Sequence, residues 1–263
     1  VLVKNTGMNA INTATFNYTI NTTPYVYNWS GVIAPNQSIT VDFPSVTLSK
    51  GIYSMVVNST IPNDAFSDNN TGSTSFYLND SGTVGATNTF ESASNELLEF
   101  NAGSTSGLWT RGVRTGGLLA TGSNNVYATS LNGNYPDLQT SYLISQCYNL
   151  SQVVNPQISF KMAFDLEQNW DIVYVQYSTD LGQNWEVLGT QGTGWYNSNR
   201  TPQTAGNDCN NCIGAQWTGT DAEFKTYTYG LNELNNFTNV IFRIVFISDD
   251  AVNQEGVIVD DFL

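Results

Sequence analysis

The feature that most limits what this chain can fold into is a two-residue rhythm. Short run after short run alternates apolar and polar side chains, and turn residues interrupt each before a helical period is established. Near the N-terminus the runs are ATFNYTI at 14–20, YVYNW at 25–29, SITVDF at 38–43, GIYSMVV at 51–57 and STSFYL at 73–78. Pro24, the APNQ at 34–37, Lys50-Gly51 and IPNDAFSDNNTG punctuate them. From Phe90 the rhythm resumes in YLISQCYNL, PQISFKMAF, DIVYVQYST, WEVLGT, KTYTYGL and VIFRIVFIS. QISFKMAF, DIVYVQY and VIFRIVF are the most apolar, which suits central strands whose inner faces meet across a sandwich. Successive strand side chains point to opposite faces, so such a chain buries its apolar half by packing sheet on sheet. The expected class is all-β: an N-terminal immunoglobulin-like β-sandwich of about seven strands, then a C-terminal jelly-roll β-sandwich.

The two halves are separated by NDSGTVGATN, which holds no large apolar side chain besides Val84. A segment without apolar side chains adds nothing to a core, so 1–80 and 89–263 read as domains and 81–88 as a linker. Long polar inserts such as WYNSNRTPQTAGNDCNNCIGAQWTGTD read as surface loops.

Composition excludes several kinds of function. The chain of 263 residues has 8 Lys plus Arg against 22 Asp plus Glu, a formal charge of −14. Phosphate binding needs a basic face that releases counterions, so nucleic acid is excluded as a partner, and so is an anionic membrane. No apolar run approaches the roughly 20 residues that span a bilayer, so no membrane insertion is expected. There is no histidine. Ser-His-Asp and Cys-His nucleophile pairs, HExxH zinc sites and imidazole acid–base chemistry go with it. A carboxylate pair able to cleave a glycoside needs no histidine, and Glu91, Asp165, Glu167, Asp171 and Glu186 keep that route open. The reading is nevertheless non-enzymatic.

Three cysteines are present. Cys209 and Cys212 form a CxxC within GNDCNNCIG, with neither a second CxxC nor a histidine pair to complete a zinc ribbon. A disulfide closing a surface loop is the expected state of that pair, and Cys147, between Ile144 and Leu150, is expected as a buried free thiol. In the long loops Trp195 and Tyr196 of GTGWYNSNR and Trp217 of GAQWTGT are candidates for stacking on pyranose rings. The alternative is that they pin a long loop to the sandwich. Trp109, Trp170 and Trp185 read as core or hairpin residues. Ser178 to Trp185 fits the Asp-box SxDxGxxW, which reads as a hairpin device: the carboxylate of Asp180 caps turn amides, Gly182 takes a positive φ and the Trp packs beneath.

Read together, VKNTGMNAINTATFNYTIN, the APNQS turn, the GIY strand and the NDAFSDNN loop resemble the cell-adhesion-related domain family of bacteria (CARDB) over nearly all of the first domain. Its matching positions are Asn5, Gly7, Pro35 to Ser38, Gly51, Tyr53 and Asp64 to Asn70. Asp64 and Asp68 are either backbone caps or oxygen ligands. TFES at 89–92, SFKMAFD at 159–165, YVQYSTDLGQNWEVL at 174–188, FRIVFISDD at 242–250 and EGVIVDDF at 255–262 resemble, in that order, the MAM-like jelly rolls of the choice-of-anchor J and cleaved-adhesin families. That resemblance implies first and last strands lying side by side with a structural calcium on their acids. Its candidate ligands are Glu91, Asp260 and Asp261, with weaker claims for Asp165, Asp171, Asp249 and Asp250. The bland alternative leaves Asp260 and Asp261 alternating in and out of an edge strand. Calcium needs six to eight hard oxygens.

The resemblance implies a calcium-stabilised adhesion or spacer segment of a larger multidomain protein on the surface of a bacterium with a Bacteroidota-like, type IX exporter. Its partner would be a surface glycan or protein. Two rivals stand beside it: a carbohydrate-binding module, and an accessory domain of an exported peptidase. Val1 opens inside a strand-like run and the chain stops in VIVDDFL, which fits a piece of a longer secreted protein.

Overall fold

A computed structural model describes residues 1–92, 97–101, 108–202 and 209–263. The chain divides into two compact units, Val1–Asn79 and Asp80–Leu263. Among the described residues, no helix is long and apolar enough to cross a membrane.

Unit 1 contains β1 (Leu2–Lys4), β2 (Ile11–Ile20), β3 (Thr23–Ile33), β4 (Ser38–Thr40), β5 (Gly51–Thr60) and β6 (Thr71–Leu78). A four-stranded antiparallel sheet runs β3-β2-β5-β6, and β1 pairs with β4 in a second, small sheet. The alternation in ATFNYTI does what the pattern requires. Ala14, Phe16, Tyr18 and Ile20 are buried, with Tyr25, Tyr27, Tyr53 and Met55 of the flanking strands packed on the same core. Thr15, Asn17 and Thr19 face the other way, with Asn17 opposite Val26 on one side and Asn58 on the other. The expected strand at 38–43 stops at Thr40; beyond it Val41, Phe43, Val46 and Leu48 still reach the core from irregular backbone. Six strands are therefore seen in this unit where about seven were expected.

Unit 2 contains β7 (Leu98–Asn101), β8 (Thr110–Val113), β9 (Asn125–Ala128), β10 (Thr140–Tyr148), β11 (Gln157–Asp165), β12 (Ile172–Ser178), β13 (Glu186–Val187), β14 (Thr220–Gly230), β15 (Val240–Ile247) and β16 (Gly256–Asp260). They form two five-stranded antiparallel sheets, β13-β12-β15-β10-β7 and β14-β11-β16-β9-β8. β12 and β15 are the apolar runs DIVYVQY and VIFRIVF, paired at the centre of the first sheet with Val173 opposite Phe246. β11 and β16 hold the centre of the second, with Met162 opposite Val259. The inner faces meet in one large core that includes Phe160, Met162, Val173, Val175, Phe246 and Val259. This is a jelly-roll-like sandwich, and the chain as a whole is all-β.

Residues 81–88, expected as a linker, are built into unit 2. Ser81 bridges to Cys147, Gly82 N–H donates to the Cys147 carbonyl at 2.8 Å, and Asn88 and Phe262 exchange two backbone hydrogen bonds of 2.8 and 3.0 Å. The expectation failed for a physical reason: a ladder is made of backbone groups and needs no apolar side chain. Gly82 lies so close to Tyr148 that an added Cβ would come within 2.2 Å of the ring. Small residues here permit close approach.

Candidate functional site

The loops at one end of unit 2 carry a group of acids. β11 ends at Asp165 and β12 begins at Ile172, so the six residues between them turn back over the sandwich end and carry Glu167 and Asp171. β15 ends at Ile247 beside the start of β12, which delivers Asp249 to the same place. Carboxylate oxygens of Glu167, Asp171 and Asp249 lie within 4.8 Å of one another. Asp171 is the anchor and is fully buried. Its Oδ2 accepts a hydrogen bond from the Tyr135 hydroxyl and its Oδ1 one from the Asp249 N–H at 2.8 Å. The Tyr135 oxygen in turn accepts the Glu167 N–H at 3.2 Å, and Thr218 Oγ1 donates to the Asp171 carbonyl at 2.8 Å. One carboxylate thus ties together three loops.

Burial pushes the Asp171 carboxyl up to about 6, against the opposing pull of its two donors. Glu167 is also raised, by burial first and then by the charges of Asp249 and Asp171. Three hard oxygen donors, two of them partly exposed, form a set that a divalent cation can bridge.

The other predicted ligands are dispersed. β11 and β16 pair with Lys161 opposite Asp260 and Asp165 opposite Gly256. At about 3.4 Å per residue, this sets Asp260 and Asp165 about 14 Å apart along the ladder. Asp165 Oδ1 accepts from Thr220 Oγ1 at 2.7 Å. Glu91 has both oxygens on Asn125, accepting from its N–H at 2.9 Å and its side-chain amide at 2.8 Å. Asp260 is buried and its carboxyl is pushed up to about 6 by that burial, with further contributions from Asp261 and Glu91. Glu91 and Asp260 are therefore electrostatic neighbours, as expected of acids on the first and last segments. Asp261 leaves this pair: its carboxylate holds Lys161 Nζ at 2.7 Å, so a lysine offsets part of the charge of these adjacent acids. Asp64 of unit 1 is a cap, accepting from the Phe66 N–H at 3.1 Å and Asn70 Nδ2 at 2.7 Å.

The three loop aromatics are not a surface platform. Trp195, Tyr196 and Trp217 are 5%, 1% and 1% exposed, which removes the faces a sugar would stack on. Each polar handle is used inside: Trp195 Nε1 donates to the Leu188 carbonyl, Trp217 Nε1 to the Trp195 carbonyl, and the Tyr196 hydroxyl both donates to and accepts from Val175 backbone. Trp217 also exchanges backbone hydrogen bonds with Val173 of β12. The insert was too polar to look buried, yet its few large rings belong to the core of the sandwich.

Cys209 and Cys212 are disulfide-bonded and buried within the insert. The adjoining GND at 206–208 lies outside the described residues. Cys147 is a free thiol, half-buried rather than buried, with its pKa raised by desolvation. In the Asp-box Asp180 Oδ1 accepts from the Asn184 N–H at 2.9 Å and Oδ2 from Asn184 Nδ2 at 2.6 Å, which hold its carboxyl down at about 2. Gly182 has φ 86°, and Trp185 packs against the Arg243 guanidinium, 4.0 Å from the ring centre.

Sequence reasoning had every member of the acidic group in view but not their meeting. Glu167 stood only as a possible catalytic acid, and Asp171 and Asp249 as ligands of weaker claim. The usable signal is that all three flank the ends of long apolar strands, which antiparallel pairing brings to one end of a sandwich.

These features define unit 2 as a two-sheet jelly-roll-like module with an acidic loop end. No family model matches the chain, and no curated protein does. Among solved structures, the chain is similar to the K2 cleaved adhesin domain of Lys-gingipain, at 17% identity over 67% of this chain and 95% of that one, TM-score 0.38. The K1 cleaved adhesin domain of Lys-gingipain from Porphyromonas gingivalis W83 matches at 14% identity over 67% and 95%, TM-score 0.39. A structure of carbohydrate-binding modules from the β-sandwich superfamily matches at 12% identity over 96% of this chain and 86% of that one, TM-score 0.37.

Proposed function

We propose that this chain is a non-catalytic adhesion or spacer segment of a secreted bacterial surface protein, its second unit stabilised by calcium. The observation that carries the reading is how the acids are used. Glu91 is spent on Asn125, Asp165 on Thr220 and Glu186 on Tyr177. Carboxylates that hold loops in place serve a surface to be presented. A buried disulfide supports an oxidising, extracellular setting. The carbohydrate-binding alternative loses Trp195, Tyr196 and Trp217 as its stacking faces, and the accessory-domain alternative depends on chain beyond these residues.

Calcium belongs at Glu167, Asp171 and Asp249, of which Asp171 and Asp249 were candidate ligands with weaker claims, because only there do three carboxylates converge among the described residues. A cation that binds the native state alone stabilises it by mass action. Melting at pH 7 should therefore rise with calcium and fall back with chelator, and D249N should abolish the difference while D260N keeps it. An unchanged melting temperature removes the ion. Hydrolysis of a glycan or peptide by the purified chain, lost on a single carboxylate substitution, removes the non-catalytic reading.

A further inference from the structure

Sheet edges invite pairing unless they are short, charged or covered. Unit 2 protects its edges. β13 has two residues, β7 and β8 have four each, and the eleven-residue β14 carries Asp221, Glu223 and Lys225. Unit 1 does not. Its edge strand β3 runs eleven residues, TPYVYNWSGVI, without a charge, and Val26 is 63% exposed. The β2–β3 connection is the two-residue turn Asn21-Thr22, and Ile20 lies opposite Thr23. The pair flanking such a turn is the closely bonded one, so Thr23, Tyr25, Tyr27 and Trp29 bond toward β2. The N–H and C=O groups of Val26, Asn28 and Ser30 then point outward. Pro24 falls at an outward position too, where its missing N–H costs no bond to β2.

We propose that β3 is a self-association edge, pairing antiparallel with β3 of a second copy about a two-fold axis at Asn28. In that register Val26 meets the second copy's Ser30, Asn28 meets Asn28, and on the core-facing side Tyr27 meets Trp29. The pairing satisfies the outward backbone groups, forms two aromatic cross-strand pairs and brings no like charges together. Charge distribution favours a second copy as the occupant. Val1–Asn79 holds two lysines and three aspartates, a net of −1 out of the chain's −14, so two copies meet where their mutual repulsion is weakest. A two-fold axis also makes the contact self-complementary and closed. The other uncharged edge, β6, begins Thr-Gly-Ser-Thr-Ser and offers a partner little side chain to pack against.

The test is sedimentation of the full chain across concentration, with two double variants at the same exposed positions. V26K/S30K sets lysine opposite lysine across the axis, whereas V26K/S30E sets lysine opposite glutamate. A concentration-dependent dimer is expected for the wild type, weakened at least about tenfold in V26K/S30K and retained in V26K/S30E. A wild type that stays monomeric to about 1 mM overturns the proposal, as does a dimer equally strong in V26K/S30K. If V26K/S30K fails to fold by circular dichroism, hydrogen exchange of the wild type decides. Protection at Val26, Asn28 and Ser30 should grow with concentration, and concentration-independent exchange there overturns the pairing.

Discussion

Burial at single positions decides what two residue types do in this chain. Trp217 is 1% exposed and lies edge-on to Phe160, Trp195, Tyr196 and Tyr227. Replacing such a ring with a methyl group removes its transfer energy and leaves a cavity, so W217A should cost unit 2 about 3–5 kcal/mol in a denaturant titration. A loss below about 1 kcal/mol would mean the ring is not packed as described. Asp260 offers a pH-dependent counterpart. Its carboxyl moves from 3.8 to about 6 on folding, so the native state holds the proton more firmly. Its contribution to stability is fully present below about pH 4 and is lost as pH rises through about 6, amounting to about 3 kcal/mol at most. D260N should therefore gain on the wild type as pH rises, with the two curves converging below pH 4. Parallel curves across that window would contradict the shift.

Among elements, the long strands were legible because their alternation is carried by the residues themselves. β2 buries Ala14, Phe16, Tyr18 and Ile20 as the pattern of ATFNYTI demands, and the Asp-box hairpin followed from Ser178, Asp180, Gly182 and Trp185. β7, β8 and β9 have four residues each, too short to carry a pattern, and none of them was expected, while the runs expected at SITVDF and WEVLGT shrink to three and two residues. The acidic group was not legible, since Glu167 and Asp249 are far apart in sequence and only the β12–β15 register joins them. Nor was the fate of Trp195 and Trp217, because a ring in a polar loop has the same sequence signature whether it faces a ligand or the core. The Cys209–Cys212 bond closes a loop of sequence separation 3. So short a closure restricts the unfolded chain little, and reduction should lower stability by about 2 kcal/mol in paired denaturation curves with and without reductant. A loss above about 4 kcal/mol would mean that the bond anchors the insert to the core.

Taken whole, the chain has separate cores. The cluster around Phe16, Tyr18 and Val57 lies entirely in unit 1, and the cluster around Phe160, Val173 and Phe246 entirely in unit 2. Residues 80–263 alone should melt in one cooperative transition, with native near-ultraviolet circular dichroism. A fragment that folds only when 1–79 is restored would show the division to be wrong. The fragment must begin by residue 80, because the Asp80 carbonyl accepts the Cys147 N–H at 3.2 Å.

That closing stretch of backbone has a mechanical consequence. Asn88 and Phe262 face each other antiparallel, so the chain enters unit 2 and leaves it on the same side of their bridge. A pull applied at residues 80 and 263 first releases the bonds of Asp80 and Gly82 with Cys147 and those of Leu263 with Ser159 of β11, and then opens the Asn88–Phe262 pair one bond after the other, before the central ladders of the sandwich are loaded. Under tension the unit should yield first by peeling at this seam, while its sandwich stays intact. In single-molecule stretching this predicts a low-force extension of a few residues before the main rupture, and a single high-force rupture with no earlier step would rule it out.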